Sequence, residues 1–328
     1  MTWLVTGGAG YIGAHVVRQM RRAGRDVVVL DDMSTGDSNR LPAEVPLVRG
    51  SVLERSLVDE TLRRHDVHSV IHIAAKKQVA ESVAWPLLYW RQNVDGLLTL
   101  LEACYDAGVD RFVFSSSAAV YGVPDAPLVT EEASCRPVSP YGETKVAGER
   151  LLRSCTAQWP LRSVSLRYFN VAGAAHPELA DSGVFNLIPM VFERLQAGKR
   201  PLVFGADYAT DDGSCVRDFV HVSDVARAHV LAAEALDEPG RGMTTYNIGR
   251  GQGASVFEVL RVIGEVSGLT VEPEIVDRRA GDPARVVACV ERARGELGFV
   301  AEQGLEQIIE DAWAGWAGRL VLDRKHGP

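Results

Sequence analysis

The stretch VTGGAGYIGAHVV, residues 5–17, decides the fold. Gly7, Gly10 and Gly13 lie between a β-branched run and a helical pattern, and glycine permits a tight turn that brings backbone N–H groups close to a phosphate. Asp31 and Asp32 follow about 20 residues later, at the end of the next predicted strand, where a carboxylate can bind ribose hydroxyls. This order predicts a dinucleotide-binding βαβ unit. Since no arginine follows Asp32 at once to accept a 2′-phosphate, NAD is favoured over NADP.

Beyond this unit, the first 120 residues alternate apolar runs with helical patterns. The runs TWLVTG, DVVVLDD, VPLVRG, SVIHIAA and RFVFSSS are predicted strands, and SLRYFN (165–170) is a further one. Such alternation is typical of right-handed βαβ units and predicts an α/β fold with a Rossmann-type doubly wound parallel sheet. We expect residues 1–175 to form an NAD-binding domain and residues 176–328 a smaller α/β substrate-binding domain. Residues at about 218–250 are expected to pack back on the first domain.

The composition excludes several classes of protein. A net charge of −8, without a basic cluster, does not suit binding to nucleic acid. The chain has no run of 18 apolar residues and no recognisable export signal, so no membrane partner is expected. Five scattered cysteines without a C-x-x-C pair indicate reduced thiols, no metal site and a cytoplasmic protein.

The segment SPYGETK, residues 139–145, contains a candidate catalytic pair. Pro140 suits the first turn of a helix, on which Tyr141 and Lys145 would share a face. An ammonium nearby, together with a positive nicotinamide ring, would lower the pKa of the phenol and make it a usable base. The serines Ser115–Ser117 end the predicted strand before it. Alone, the Tyr–Lys spacing marks only a helix start; beside the dinucleotide unit it indicates hydride transfer on an alcohol.

The chain resembles, over nearly its whole length, the extended short-chain dehydrogenase/reductase family and, within it, the UDP-glucose (UDP-galactose) 4-epimerases. The segments that carry the resemblance are GGAGYIG, AESVAWPLLYWRQNV, FSSSAAVYG, SPYGETK, LRYFNVAGA, FGADYATDDGSCVRDFVHVSD, YNIGRGQGASV and RRAGDP. The resemblance implies an enzyme with tightly bound NAD that interconverts UDP-glucose and UDP-galactose through a transient 4-keto sugar. It also implies a homodimer formed through a four-helix bundle.

The resemblance assigns roles to individual residues. Tyr141 is the implied base, Lys145 its partner and a ribose ligand, and Ser117 the ligand of the sugar's 4-hydroxyl. The implied cofactor site comprises Gly7, Gly10, Tyr11, Ile12, Gly13, Asp31, Asp32, Ser51, Val52, Ala74, Ala75, Lys77, Asn93, Ser115, Tyr141, Lys145 and Tyr168. The implied substrate site comprises Ser117, Tyr141, Phe169, Asn170, Asn186, Leu187, Val203, Arg217, Tyr246, Arg279 and Asp282.

Three positions depart from the family pattern. Ser51 replaces an acid that contacts adenine, the loop at 176–189 is shorter, and Arg285 or Val286 replaces an aromatic residue. Because these changes concern the hexose pocket, a 4-epimerase of UDP-glucuronate or of a UDP-N-acetylhexosamine stays open. His176 or Arg285 could bind a uronate carboxylate, or both could be solvated loop residues.

Two other classes of function are disfavoured. A plain alcohol dehydrogenase would not need the stretch FGADYATDDGSCVRDFVHVSD, which resembles a segment that holds UDP. A dinucleotide-sensing binding protein without catalysis would not need both Tyr141 and Lys145.

Overall fold

Short parallel strands alternate with helices along the computed structural model, which describes residues 1–238, 242–279 and 281–325. The strands are β1 (Thr2–Thr6), β2 (Asp26–Asp31), β3 (Leu47–Arg49), β4 (Val67–His72), β5 (Arg111–Ser117), β6 (Arg162–Tyr168), β7 (Asn170–Ala172), β8 (Leu202–Phe204), β9 (Val216–His221), β10 (Met243–Ile248), β11 (Gly253–Ser255), β12 (Glu274–Val276) and β13 (Arg285–Val286). The α-helices are α1 (Tyr11–Arg22), α2 (Arg55–Arg64), α3 (Val79–Ala84), α4 (Pro86–Trp90), α5 (Gly96–Ala107), α6 (Pro140–Gln158), α7 (Leu187–Gln196), α8 (Val222–Ala235), α9 (Val256–Ser267), α10 (Glu291–Leu297) and α11 (Leu305–Lys325).

The main sheet has seven strands in the order β10-β6-β5-β4-β1-β2-β3, and every neighbouring pair is parallel. β1 and β2 are mostly apolar and almost wholly buried, because helices cover both faces of the sheet. The strand order reverses between β1 and β4, which opens a crevice at the carboxyl ends of these strands. The predicted Rossmann-type doubly wound sheet is confirmed.

Two elements from the second half of the chain pack with the main sheet, one as a strand and one as a covering helix. β10 pairs with β6 as its last strand, and α8 packs beside α1 on one face. That face buries an apolar cluster around Trp3, Met20 and Tyr246. On the opposite face, α2, α5 and α6 bury a second cluster around Leu62, Leu100 and Leu152.

The remaining C-terminal elements form a second layer. β7, β11 and β13 all pair with β9, and β8 pairs with β12. The helices α7, α9 and α11 pack there on a core that includes Phe192, Ile263 and Ile308. Among the described residues, no helix is long and apolar enough to span a membrane.

Candidate active site

The glycine loop between β1 and α1 is closed too tightly for side chains. Gly7 has a φ of 70°, and a Cβ at this residue would lie 2.7 Å from the backbone nitrogen of Ala74. A Cβ at Gly13 would lie 2.0 Å from the carbonyl oxygen of Gly7. The absence of side chains therefore brings the positive N-terminus of α1 against the edge of the sheet, where it can bind a phosphate.

A cavity of about 430 Å³ lies at this edge of the sheet. All the predicted cofactor residues except Asn93 and Ser115 line it: Gly7, Gly10, Tyr11, Ile12, Gly13, Asp31, Asp32, Ser51, Val52, Ala74, Ala75, Lys77, Tyr141, Lys145 and Tyr168. The cavity thus has a glycine cradle and acidic residues at one end and the candidate catalytic pair at the other. These residues fit a dinucleotide.

Asp31 has a second task that the sequence did not reveal. One carboxylate oxygen accepts the backbone N–H of Ala9, and the other accepts that of Met33, both at 2.9 Å. Burial raises the pKa of this carboxyl, and the two backbone bonds oppose the rise. Asp31 therefore stabilises the glycine loop through the N–H of Ala9 and also lines the cavity.

Ser51 follows β3, where the family pattern has an acid. Its backbone N–H donates to a carboxylate oxygen of Glu54 at 2.9 Å, and its hydroxyl accepts the N–H of Leu53 at 3.2 Å. The hydroxyl thus caps the start of the next segment and also lines the cavity.

The candidate catalytic pair lies on the first turns of α6. Pro140 is the first residue of the helix, and the side chain of Ser139 accepts the N–H of Gly142 as an N-cap. Lys145 is buried, and its Nζ donates to the main-chain oxygen of Ser115 at 2.8 Å. The helix start is thus fixed by local capping, which sets the direction of the Tyr141 and Lys145 side chains.

The pKa of Tyr141 differs from the sequence expectation. Burial raises it, and a hydrogen bond with Ser117 opposes the rise. Burial also lowers the pKa of the Lys145 ammonium to about 8, although the negative charge of Glu149 acts to raise it. The expectation that Lys145 lowers the phenol's pKa is therefore not met by the chain alone, because its Nζ binds Ser115 and lies 5.8 Å from the centre of the Tyr141 ring.

Ser115 and Asn93 support the cavity from behind its wall. The carbonyl oxygen of Ser115 accepts a hydrogen bond from Lys145, and the hydroxyl of Ser115 lies 3.2 Å from Nε2 of His229. Asn93 is buried, and its amide exchanges two hydrogen bonds with the backbone of Lys76. Both residues hold the lining in place, although they do not line the cavity.

The loop that follows β7 closes one side of the cavity. Arg40 donates to the carbonyl of Ala180 at 2.9 Å, and Lys77 lies 3.6 Å from a carboxylate oxygen of Asp181. The lining residues that the sequence reasoning missed are Leu30, Ser34, Thr35, Arg40, Gly50, Ile73, Lys76, Gln78, Glu81, Gln92, Asp181, Ser182, Gly183 and Phe185. Two signals concerned some of them: the segment AESVAWPLLYWRQNV contains Glu81 and Gln92, and the loop at 176–189 contains Asp181, Ser182, Gly183 and Phe185.

A smaller cavity of about 50 Å³ adjoins the large one, because Tyr11 and Asp181 line both. Three predicted substrate residues, Asn170, Asn186 and Leu187, line it. Its walls come from β7 and the start of α7.

Three further predicted substrate residues form a charged cluster in the second layer. Arg217 on β9 is ion-paired with Asp282, and its other terminal nitrogen donates to the carbonyl of Val216 at 2.8 Å. The guanidinium of Arg279 lies 3.7 Å above the ring of Phe204. The backbone N–H of Asp282 donates to the backbone carbonyl of Arg279 at 3.2 Å, so the two residues share one turn.

The side chains of Tyr246, Val203 and Phe169 lie elsewhere than expected. Tyr246 is fully buried in the core of the main sheet, and its hydroxyl donates to Glu296 at 2.8 Å. Val203 is buried in the core of the second layer, and Phe169 packs in a separate apolar cluster. None of these side chains lines either cavity, because each packs in an apolar core. Their contact with a substrate stays a prediction.

The two residues considered for a uronate carboxylate do not meet at a cavity. His176 is exposed at the start of the loop, and Arg285 is exposed with its Nε bound to the carbonyl of Pro127 at 3.3 Å. Neither lines either cavity. Among the described residues, no group of three or more His, Cys, Asp or Glu side chains is arranged to hold a metal.

Comparison with known proteins places the chain in a family. Residues 3–249 match the NAD dependent epimerase/dehydratase family. The chain is 46% identical, over 314 residues, to a UDP-glucose 4-epimerase of Azospirillum brasilense, covering 94% of this chain and 90% of that protein. The UDP-glucose 4-epimerase of Stenotrophomonas maltophila, solved with bound NAD and formylated UDP-arabinopyranose, matches with a TM-score of 0.93 and 38% identity, over 98% of this chain and 99% of that one. The enzyme of Brucella ovis, solved in complex with NAD, matches with a TM-score of 0.91 and 39% identity, over 95% and 97%. This chain therefore belongs to the NAD dependent epimerase/dehydratase family.

Proposed function

We propose that this protein is an NAD-dependent UDP-glucose 4-epimerase, which interconverts UDP-glucose and UDP-galactose. The observation that carries the proposal is that Tyr141 and Lys145 line the same cavity as the glycine cradle. A hydroxyl-bearing carbon held at Tyr141 would lie beside the reactive end of a dinucleotide. The similarity to UDP-glucose 4-epimerases over nearly the whole chain supports the same activity.

The reaction would begin with proton removal by Tyr141. Its phenolate accepts the proton of the sugar's 4-hydroxyl, and Ser117 donates a hydrogen bond to the same sugar oxygen. Bound NAD would supply the acceptor, and afterwards the donor, of the hydride at C4. After the 4-keto sugar has turned over, Tyr141 returns its proton to the oxygen, which now has the opposite configuration. Lys145 and the positive nicotinamide ring of bound NAD would together favour the phenolate, because the chain alone does not lower the pKa of Tyr141.

The UDP group would act as the anchor while the sugar turns. Arg217 and Arg279 can bind diphosphate oxygens through planar guanidinium groups, and Asp282 lies beside them to bind ribose hydroxyls. Asn170 and Asn186 line the smaller cavity on the way to Tyr141. The contacts to UDP would supply binding energy at a distance from the reacting carbon C4. The sugar can therefore rotate while the substrate stays bound.

We also propose a homodimer formed by α5 and α6. Leu98 and Tyr105 are exposed apolar residues on α5, and exposed acidic residues accompany them there. The exposed face of α6 carries Arg150 and Arg153. A two-fold axis that pairs these helices would cover this apolar surface. The acidic residues of α5, Glu102 and Asp106, are ion-paired with Arg55 of the same chain. The five free thiols support a reducing compartment, and we propose the cytoplasm.

Assays of the purified protein on three substrates in parallel test the proposed substrate. We expect UDP-glucose to be converted to UDP-galactose with a higher kcat/KM than UDP-glucuronate or UDP-N-acetylglucosamine, since the similarity over nearly the whole chain is to UDP-glucose 4-epimerases and neither His176 nor Arg285 lines either cavity. Faster conversion of UDP-glucuronate or UDP-N-acetylglucosamine would replace the proposed sugar. NAD released from denatured protein would identify the cofactor, whereas NADP would contradict the role of Asp31.

A further inference from the structure

The catalytic helix α6 meets the end of β5 at three successive turns. Tyr141, Lys145 and Glu149 are spaced four residues apart and share the face that looks toward β5. Lys145 binds the carbonyl of Ser115, and Ser117 lowers the pKa of Tyr141 against the effect of burial. Glu149 is the third residue on this face, and the mechanism leaves it without a role.

Glu149 binds the serine between those two. Its Oε1 accepts the hydroxyl of Ser116 at 2.6 Å and the Nε of Arg167 at 2.8 Å, and its Oε2 accepts a terminal nitrogen of Arg167 at 2.5 Å. The side chains of Glu149 and Arg167 are each 4% exposed. Three consecutive serines of β5 therefore hold three consecutive turns of α6, and the middle contact is a buried, bidentate ion pair.

The ion pair is anchored in the rest of the sheet. Arg167 on β6 also donates to the hydroxyl of Tyr121 at 2.9 Å and to the carbonyl of Glu131 at 3.2 Å. Tyr121 in turn donates to the side-chain oxygen of Asn247 on β10 at 2.6 Å. A carboxylate on α6 is thus fixed to three neighbouring strands, so the helix has little freedom to rotate or slide.

We propose that Glu149 is a positioning residue for the epimerase reaction: it fixes α6 on β5 so that Tyr141 meets Ser117 and Lys145 meets the Ser115 carbonyl. This inference rests on the proposed function, because the position of Tyr141 matters for turnover only if Tyr141 is the base. A buried ion pair contributes little net stability compared with an apolar pair of similar size, so the presence of this pair suits a role in placing groups.

The charge of Glu149 also acts on Lys145. Burial lowers the pKa of the Lys145 ammonium to about 8, and Glu149 acts in the opposite direction. The other titratable groups nearby are Tyr141 on α6, Tyr168 from β6 and His72 on β4, whose pKa of about 3 keeps it neutral. Loss of the Glu149 charge should therefore lower the pKa of Lys145 further, so the ammonium would be lost at a lower pH.

The first test replaces the carboxylate by an amide in Glu149→Gln. We expect kcat for UDP-glucose to fall on the order of 100-fold, as for a displaced catalytic group, with little change in KM. The alkaline limb of the kcat–pH profile should move to lower pH. A ¹³C NMR titration of the lysine ε-carbons in the same protein should show Lys145 titrating at lower pH than in the wild type.

A second variant guards against misfolding of the first. Ser116→Ala removes the contact to β5 but leaves the Glu149–Arg167 ion pair intact, and we expect a several-fold loss of kcat with a nearly unchanged Tm. The matched control is Ser165→Ala on the adjacent strand β6, whose buried hydroxyl has no hydrogen-bond partner among the described residues. This control should keep the wild-type kcat.

Wild-type kcat in Ser116→Ala, or in a folded Glu149→Gln, would overturn the proposal and make the pair merely structural. Equal losses in Ser116→Ala and Ser165→Ala would also overturn it. Failure of the proposed function is recognised separately, because the wild-type protein would then leave UDP-glucose unconverted. In that case the NMR titration still decides whether Glu149 controls Lys145, and an unmoved Lys145 signal would contradict that control.

Discussion

The ionisation of the Tyr141 phenol depends on the groups around it. Its phenol is buried, which alone makes ionisation harder, and only the hydrogen bond with Ser117 acts in the opposite direction within the chain. A buried base with a raised pKa has to be assisted by positive charge when it works. Lys145 provides such a charge on the same helix face, 5.8 Å from the ring centre.

Removal of the phenolic hydroxyl should stop the reaction without unfolding the protein. For Tyr141→Phe we expect kcat to fall by about 10²- to 10⁴-fold, the usual contribution of general acid–base catalysis, with UDP affinity by calorimetry unchanged. Tyr246→Phe is the matched control, because that tyrosine lies in the core with its hydroxyl bound to Glu296, and it should keep its turnover. Near-normal turnover of Tyr141→Phe would remove Tyr141 from the role of base.

The titration of Lys145 should appear in the pH profile. Its pKa in the folded chain is about 8, so the ammonium is present below that pH and lost above it. We therefore expect kcat to decline above about pH 8, since the phenolate then loses its cationic partner. Lys145→Arg keeps the charge at all these pH values and should lack the decline, even with a lower maximum. A wild-type profile that stays flat to pH 10 would contradict this role.

Helices and strands whose ends are set by local sequence pattern could be predicted from the sequence. The strand and helix of the glycine loop, and the α6 start at Pro140, follow from turn chemistry, capping and hydrophobic periodicity. The burial of Tyr246 could not be predicted in this way, because it depends on which strand joins which edge. Arg40 was missed because the loop it binds is some 140 residues away in sequence.

The glycine loop should tolerate no side chain at its narrowest point. A Cβ at Gly13 would meet the backbone oxygen of Gly7 at 2.0 Å, so Gly13→Ala should displace the loop and abolish retention of NAD. The NAD content of purified protein, measured after denaturation, checks this. Gly295→Ala in α10 has open space around the new Cβ and should keep its NAD while gaining about 0.5–1 kcal/mol in free energy of unfolding. Full NAD content in Gly13→Ala would contradict the cradle.

At the scale of the whole molecule, the proposed dimer makes its own prediction. Tyr105 is 59% exposed on α5, and a glutamate there would place another negative charge among exposed acidic residues at the interface. We expect Tyr105→Glu to be a monomer by size-exclusion chromatography with light scattering. Leu269→Glu, which changes an exposed apolar residue beyond α9, should remain a dimer. A dimeric Tyr105→Glu protein would exclude this interface.

In the proposed reaction, hydride leaves C4 of the sugar and returns to the same carbon, while Tyr141 moves only the proton. UDP-glucose carrying deuterium at C4 tests this directly when it is incubated in ordinary water with the purified protein and no added cofactor. We expect UDP-galactose that retains the deuterium at C4. Loss of the deuterium to solvent, or accumulation of an oxidised sugar in place of the epimer, would contradict it.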